Sequence, residues 1–507
     1  MAQAPHVLII LDGFGYRQEI DDNAILKAHP ANFSSWMSKY PHSTLSASGI
    51  FVGLLPHMIG NSEVGHMTIG SGRRIVQPVA EITHQIATGA FYADKIVEKR
   101  FNELIDTPKR LHFMGLLSDA GVHSHIDHLK ALIKCAQIKK IEQIIVHPFL
   151  DGRDVPPKTA AFYLSQLEEA LGNSGIIGSL HGRFYAMDRD NNWDRTKESY
   201  KILTQTQKQS ATSWQEALEK SYAAGITDEF FKPVALHESA AIKRQDAVVF
   251  FNFRADRARQ LTGALVAEDF SSFTTRHLDL SSMLTFTSYH EDFPVDVLLR
   301  KKIVQNTLFD VLEKHEFPLF SIAETEKYAH ITYFFNGGRE LIRQHETRIL
   351  IPSKKHHETY ASIPCMSAPE ITDAVISALN QNKHRFYLVN FANADMVGHS
   401  GDFAATVKAI HCLDYELGRL YKKIVEELKG TLYITADHGK AEEMWDFQVG
   451  QPRTAHTTNH VPFLYIGSDE NASARLPLTE LADIAPFILK NLGLEVPLEM
   501  SKQHVKE

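Results

Sequence analysis

His6-Val7-Leu8-Ile9-Ile10-Leu11-Asp12-Gly13 is an unbroken apolar run that stops at an acid and a glycine. Continuous apolar runs bounded by turn residues mark strands buried on both faces of a mostly parallel sheet. The pattern returns at Leu111 to Leu117, Ile144 to Leu150, Ala247 to Phe253, Phe386 to Phe391 and Leu432 to Ala436, each followed closely by Gly, Asp, His or Arg. Between the runs the apolar period lengthens to that of a helix. Ile410, Leu413, Leu417, Leu420, Ile424 and Leu428 mark one face, and Pro156-Pro157 followed by Thr159 to Leu171 and Gly172 carries both start and stop signals. Strand alternating with helix predicts an α/β fold with helices on both sheet faces.

In open α/β sheets ligands gather outside the carboxyl ends of the strands. That rule selects Asp12, Asp119, Asp151 to Asp154, Arg254, Asp395 and Asp437 before any chemistry is considered. Asp437-His438-Gly439 follows one predicted strand, and Asp395 with His399 follows another at a spacing of four. Each motif alone reads as a turn or a structural pair. Together with Asp12 and His456 they form a carboxylate and imidazole set without thiolate, which suits a divalent ion: Mn²⁺ first, with Mg²⁺, Co²⁺ or Zn²⁺ also compatible. The residues exceed what one tetrahedral site needs, so two ions are expected.

Ser62 lies in Gly60-Asn61-Ser62-Glu63-Val64-Gly65-His66-Met67, at a predicted helix start. A cap is the plain reading of Asn61 or Ser62. The chemical reading is that free backbone N–H groups there favour a phosphoryl group on the hydroxyl. No histidine in the sequence stands out as a base for Ser62, so a divalent ion is expected to activate it by lowering its pKa.

The acidic motifs come from both ends of the chain, and the stretch between them is rich in arginine. Arg153 and Asp154, Arg183, Arg189, Arg254 and Arg257 all follow strand-like runs, and His123 follows another. Guanidinium groups bind carboxylate and phosphate in bidentate fashion, so a small substrate carrying both would need several. Any one of them could equally pair with a neighbouring acid; Asp188, Asp190 and Asp256 are candidates for that. Lys327 taken alone reads as a solvated lysine.

Length and composition set the bounds. At 507 residues with 44% hydrophobic, the chain has material for two large domains. Junctions are expected near Arg74 to Pro78 and near Pro294 to Lys302, where patterning lapses. A net charge of −8 provides no general attraction for nucleic acid or an anionic bilayer. The N-terminus lacks a basic n-region, and Val7 to Leu11 is too short for a signal core or a membrane span. Cys135, Cys365 and Cys412 are too few and too far apart for a disulfide framework, which fits a reducing compartment. A soluble, cytoplasmic protein is expected.

With these residues assembled, the chain resembles the cofactor-independent phosphoglycerate mutases of the alkaline phosphatase superfamily. The resemblance runs from Leu11-Asp12-Gly13-Phe14-Gly15 to Ala455-His456-Thr457. It rests on Gly60 to Met67, Asp151 to Asp154, Tyr185 to Asp190 with Trp193-Asp194-Arg195, Asn252 to Arg259 and Glu326 to Gly338. Ala120, Thr68, Val155 and His460 depart from the usual pattern, and none is a candidate ligand.

The resemblance implies an alkaline-phosphatase-like, mostly parallel sheet domain, residues 1–76 and 303–507, with an inserted α/β transferase domain, residues 77–302. It implies one ion at Asp395, His399 and His456, and another at Asp12, Ser62, Asp437 and His438. Substrate contacts would fall to His123, Arg153, Asp154, Arg183, Arg189, Arg254, Arg257 and Lys327. The implied reaction interconverts 3-phosphoglycerate and 2-phosphoglycerate through a phosphoserine at Ser62. Lys327 would stabilise the transferring group, and Asp154 would take the proton from the 2-hydroxyl as that oxygen attacks the phosphoserine. A monomer is implied, with a small-molecule substrate and neither nucleic acid nor membrane as partner. The rival from the same chemistry is a phosphomonoesterase or phosphodiesterase with water as acceptor; the rival from another class is a non-catalytic metal-binding scaffold.

Overall fold

Asp12, Asp395 and Asp437 each follow one of three adjacent strands at the centre of a single sheet. The computed structural model describes residues 4–105, 107, 109–300, 302–355, 359–447, 450–467 and 475–500. Two compact units divide the chain, one built from Met1–Gln77 and Ile303–Glu507, the other from Pro78–Lys302.

The first unit carries a seven-stranded sheet in the order Glu346–Ile351, Leu319–Glu324, Phe386–Phe391, His6–Leu11, Thr431–Thr435, Val461–Ile466, His42–Leu45. Its first five strands run parallel, and Val461–Ile466 is antiparallel to both its neighbours. Ile10 stands opposite Asn390 on one side and Thr435 on the other, so the ends of these strands are aligned. Val7, Leu8, Ile9 and Ile10 are fully buried, which is why alternating polarity is missing from the opening run.

The helix Phe403–Tyr421 buries Ala409, Ile410, Leu413, Leu417 and Leu420, and with them the charged Asp414 and Glu416. The helical face read as far as Leu428 continues beyond it as a wider π turn, Lys422–Glu427. Each buried Leu or Ile there contributes roughly 1.5–3 kcal/mol by leaving water. Truncating Leu413 to Ala would cost about 2–5 kcal/mol.

In the second unit the sheet order is Asp296–Val297, Ser282–Thr285, Ala247–Phe250, Leu111–Leu117, Ile144–Leu150, Ser179–Gly182, Val234–Ala235, with Gly175–Ile177 also on Ile144–Leu150. All pairs are parallel except the one made by Val234–Ala235. The helix read from Pro156-Pro157 onward is Ala160–Leu171, ended by Gly172.

The cysteine expectation needs correction. Cys365 and Cys412 form a disulfide, with Cα atoms 5.5 Å apart. Their separation of 47 residues hid a contact that only the packing of the Phe403–Tyr421 helix creates. Cys135 is a buried free thiol whose pKa burial pushes up to about 11. Among the described residues no helix is long and apolar enough to cross a membrane.

Candidate active site

Ser62 is the first residue of the helix Ser62–Ser71, and the cap itself is Asn61, whose side chain accepts from the Val64 N–H at 3.1 Å. Ser62 is thereby released from capping. Its Oγ donates to Asp12 Oδ1 at 3.0 Å and lies 3.0 Å from His438 Nε2 and 2.7 Å from Lys327 Nζ. Three strand ends converge on this one hydroxyl. Gly13 makes the approach possible: its φ is +72°, and a Cβ there would meet Asp395 Cα at 2.8 Å.

Lys327 is buried, contrary to its plain reading as a solvated lysine. Its Nζ donates to Asp12 Oδ1 at 2.6 Å and Asp395 Oδ2 at 2.7 Å. Burial would push the carboxyls of Asp12 and Asp395 up, but the Lys327 ammonium, together with His438 at Asp12 and with His399 and His456 at Asp395, outweighs it and holds both well below the usual carboxylate range. Burial likewise opposes charge on His438, yet Asp437, Asp12 and Asp395 raise it to about 9. His438 thus meets the Ser62 hydroxyl from the far end of the sequence, where no local spacing could reveal the contact, and its raised pKa favours the protonated ring over a base for Ser62.

A second group forms around Asp395. Its Oδ1 lies 3.1 Å from His399 Nε2 and 3.2 Å from His456 Nε2, and those two ring nitrogens are 3.1 Å apart. His399 Nδ1 donates to Thr454 O at 2.8 Å and His456 Nδ1 to Gly60 O at 2.9 Å, since a carbonyl can only accept. Both Nε2 atoms therefore face the same carboxylate and each other. Burial and the charge of His438 push His456 down, which keeps its ring neutral.

This arrangement fits divalent ions. Imidazoles anchored through Nδ1 to backbone carbonyls, with Nε2 converging on a carboxylate, are how metal-binding histidines are usually oriented. Asp395 Oδ1 and Asp437 Oδ2 are buried without a hydrogen-bond partner, and the three acids Asp12, Asp395 and Asp437 share Lys327 and His438 as neighbouring cations. Groups with ligand atoms within 4.8 Å of one another are Asp395, His399 and His456; Asp12, Asp395 and His438; and Asp12, His66 and Asp437.

His66, Asn390 and Glu442 were not singled out by sequence. His66 lies one helical turn after Ser62, a spacing of four that could have flagged it. Glu442 had no such signal. Its carboxylate accepts from the N–H groups of Gly15 at 3.0 Å and Lys440 at 2.8 Å and from Asn459 Nδ2 at 3.0 Å, tying three loops together.

The arginines and His123 gather in the second unit, each after a strand of its sheet. Asp256 is the hub: Arg189 Nη1 donates to it at 3.0 Å, Arg254 Nε lies 3.4 Å away and His123 Nδ1 3.7 Å. Arg183 Nη1 donates to Asp151 at 2.6 Å and Asp154 at 2.5 Å. Arg153 reaches Glu229 at 3.4 Å, and Arg257 donates to Met187 O at 3.2 Å. Burial lowers the Arg257 pKa, and the fields of Arg189, Arg183 and Arg153 lower it further. Cations crowded until they depress one another form a focus of positive potential for an anion. Asp188 instead holds Arg195 and Asn192.

A family model described as the N-terminus of BPG-independent PGAM matches residues 82–291. The 2,3-bisphosphoglycerate-independent phosphoglycerate mutase of Clostridium perfringens (strain ATCC 13124) is 45% identical over 508 residues, covering 99% of both chains. That of Clostridium tetani is 44% identical over 514 residues, covering 100% of both. Among solved structures, a Leishmania mexicana phosphoglycerate mutase determined at low cobalt concentration aligns with a TM-score of 0.77 at 28% identity, covering 98% of this chain and 97% of that one.

Proposed function

From the premise that this chain belongs to the 2,3-bisphosphoglycerate-independent phosphoglycerate mutase family, we propose that it interconverts 3-phosphoglycerate and 2-phosphoglycerate through a phosphoserine at Ser62. The enzyme is an isomerase of the phosphotransferase type that uses divalent metal. One observation carries the assignment of the nucleophile: Ser62 Oγ is held jointly by Asp12, His438 and Lys327 at 2.7–3.0 Å.

Asp395, His399 and His456 would hold one ion, and Asp12, Ser62, Asp437 and His438 the other, with Mn²⁺ the best match to this donor set. When bound, the ions lower the pKa of the serine hydroxyl and neutralise charge on the phosphoryl oxygens. Ser62 attacks the phosphorus of 3-phosphoglycerate, its bond to the glycerate oxygen breaks, and the proton given up by the serine hydroxyl passes to that oxygen. Lys327 and the positive end of the helix that begins at Ser62 take the charge of the transferring group. His123, Arg153, Arg183, Arg189, Arg254 and Arg257 retain the glycerate by its carboxylate. Asp154 then removes the proton of the 2-hydroxyl, which attacks the phosphoserine and frees Ser62. The Arg183 guanidinium on Asp154 keeps that carboxylate oriented for this transfer. The 78–302 unit is read as the transferase domain and the remainder as the phosphatase-like domain, in a cytoplasmic monomer.

The test is incubation with 3-phosphoglycerate and Mn²⁺ without bisphosphoglycerate, following 2-phosphoglycerate and free phosphate together. Isomer without phosphate release is expected, and chelation should stop it reversibly. Phosphate release without isomer would assign a phosphatase instead.

A further inference from the structure

We infer that Asn390 and His66 form a positioning relay that ties the carboxylate of Asp12 to the first turn of the Ser62 helix and presets it for the ion at Ser62. This rests on the proposed metal ligands and adds two residues outside that ligand set.

Asn390 sits on the Phe386–Phe391 strand opposite Ile10, two residues before Asp12. An amide at the centre of a parallel sheet is costly to bury unless it is hydrogen-bonded. Its Nδ2 donates to Asp12 Oδ2 at 3.1 Å and lies 3.0 Å from His66 Nε2, while its Oδ1 has no hydrogen-bond partner. The amide orientation is decided by that pair of contacts, because the reversed amide would set a carbonyl against a carboxylate. Asn390 Nδ2 can only donate, so His66 Nε2 accepts and the ring proton stays on Nδ1.

His66 Nδ1 then donates to Ser62 O at 2.9 Å and faces Asp437 Oδ2 at 3.1 Å. The other oxygen, Asp437 Oδ1, is held by the N–H groups of Gly13 at 3.2 Å and His438 at 3.0 Å. A continuous path of hydrogen bonds runs from Asp12 through Asn390 and His66 to the Ser62 carbonyl, and the three side chains are fully buried. Asp12 Oδ2 is fixed by the relay, which sets the plane of that carboxylate, while Asp437 Oδ2 faces the His66 ring without a hydrogen bond. Groups that orient metal ligands in this way typically govern affinity by roughly 10- to 100-fold.

The relay is tested by Mn²⁺ binding to the full chain, resolved into its two classes by electron paramagnetic resonance and calorimetry. His456→Ala, which removes a ligand of the other ion, identifies which class is which. Asn390→Leu and His66→Leu should each weaken the Ser62 class roughly 10- to 100-fold and spare the class that His456→Ala removes. The double variant should lose little more than either single one, as expected for links of one path. His66→Gln, whose amide can donate to the Ser62 carbonyl and accept from Asn390, should recover most of the affinity. Melting of the metal-free proteins identifies a variant that fails to fold; Asn390→Ser, which keeps one donor, then replaces Asn390→Leu, with a smaller loss expected. Equal weakening of both classes, no weakening, additive losses, or His66→Gln behaving like His66→Leu would overturn the relay. A different failure, an unsubstituted chain that binds fewer than two ions, would overturn the underlying metal assignment, and it is read before any variant.

Discussion

Lys327 Nζ lies 2.7 Å from Ser62 Oγ while also donating to Asp12 and Asp395. A buried ammonium thus neutralises the acids that surround the nucleophile. Removing one partner from such a cluster strands uncompensated charge, at a cost of about 3–5 kcal/mol. Lys327→Met should lower the melting temperature of the metal-free protein, and Mn²⁺ should restore most of it by supplying the missing charge. Turnover should fall roughly 10²- to 10³-fold even with metal. A metal-free variant as stable as the parent would show that the lysine does not compensate these acids.

Ser62→Ala removes a hydroxyl with little volume, since Asn61 and not Ser62 caps the helix. Stability should change little, and isomer formation should fall on the order of 10³-fold or more, with no phosphoenzyme. Acid-quenched mass spectrometry of the loaded enzyme checks both. Substantial turnover would remove Ser62 from the nucleophile role.

Asp154→Asn keeps the shape of the side chain beside Arg183 but loses the proton acceptor. Phosphoserine should still form, with regeneration of phosphoglycerate slowed about 10²- to 10⁴-fold. Trapping of the phosphoenzyme by rapid quench is the readout, and its absence would separate Asp154 from the second transfer.

Metal binding should be coupled to protons through His438. Asp437 and Asp12 raise its pKa to about 9 in the metal-free protein, whereas a metal ligand must be neutral. Below pH 9 the ion therefore competes with a proton, so affinity should fall roughly tenfold per pH unit as pH drops. Calorimetry in buffers of different ionisation enthalpy should detect close to one proton released. A pH-independent isotherm would count against His438 as a ligand.

In the second unit a chain of buried polar groups crosses the sheet. His112 Nε2 meets Asp246 at 3.1 Å and its Nδ1 meets His147 at 3.0 Å; Ser179 then bridges His147 and His181 at 2.7 Å each. Burial lowers all three histidines from 6.5, His181 to about 3, outweighing Asp246 at His112. Their folded pKa values lie below the unfolded value, so the stability they permit is complete above pH 6.5 and lost as pH falls towards 3. Hydrogen exchange of the Leu111–Leu117 and Ile144–Leu150 amides should show opening energies falling by about 1.4 kcal/mol per pH unit for each histidine. Unchanged protection at pH 5 would contradict neutral burial.

The sequence by itself determined the strands and the residues at their ends, because a strand covered on both faces must be apolar throughout and must stop at a polar turn. His6–Leu11 and Phe386–Phe391 were legible for that reason, as were Asp12, Asp395 and Asp437 beyond or near such ends. Tertiary structure alone decided that Lys327 is buried, that His438 rather than a nearby histidine meets Ser62, that Asn390 bonds His66, and that Cys365 reaches Cys412. These contacts join residues 47 to 376 positions apart. Local periodicity records which face of an element is covered; the identity of what covers it depends on the order in which strands are laid side by side, and no short window of sequence contains that order.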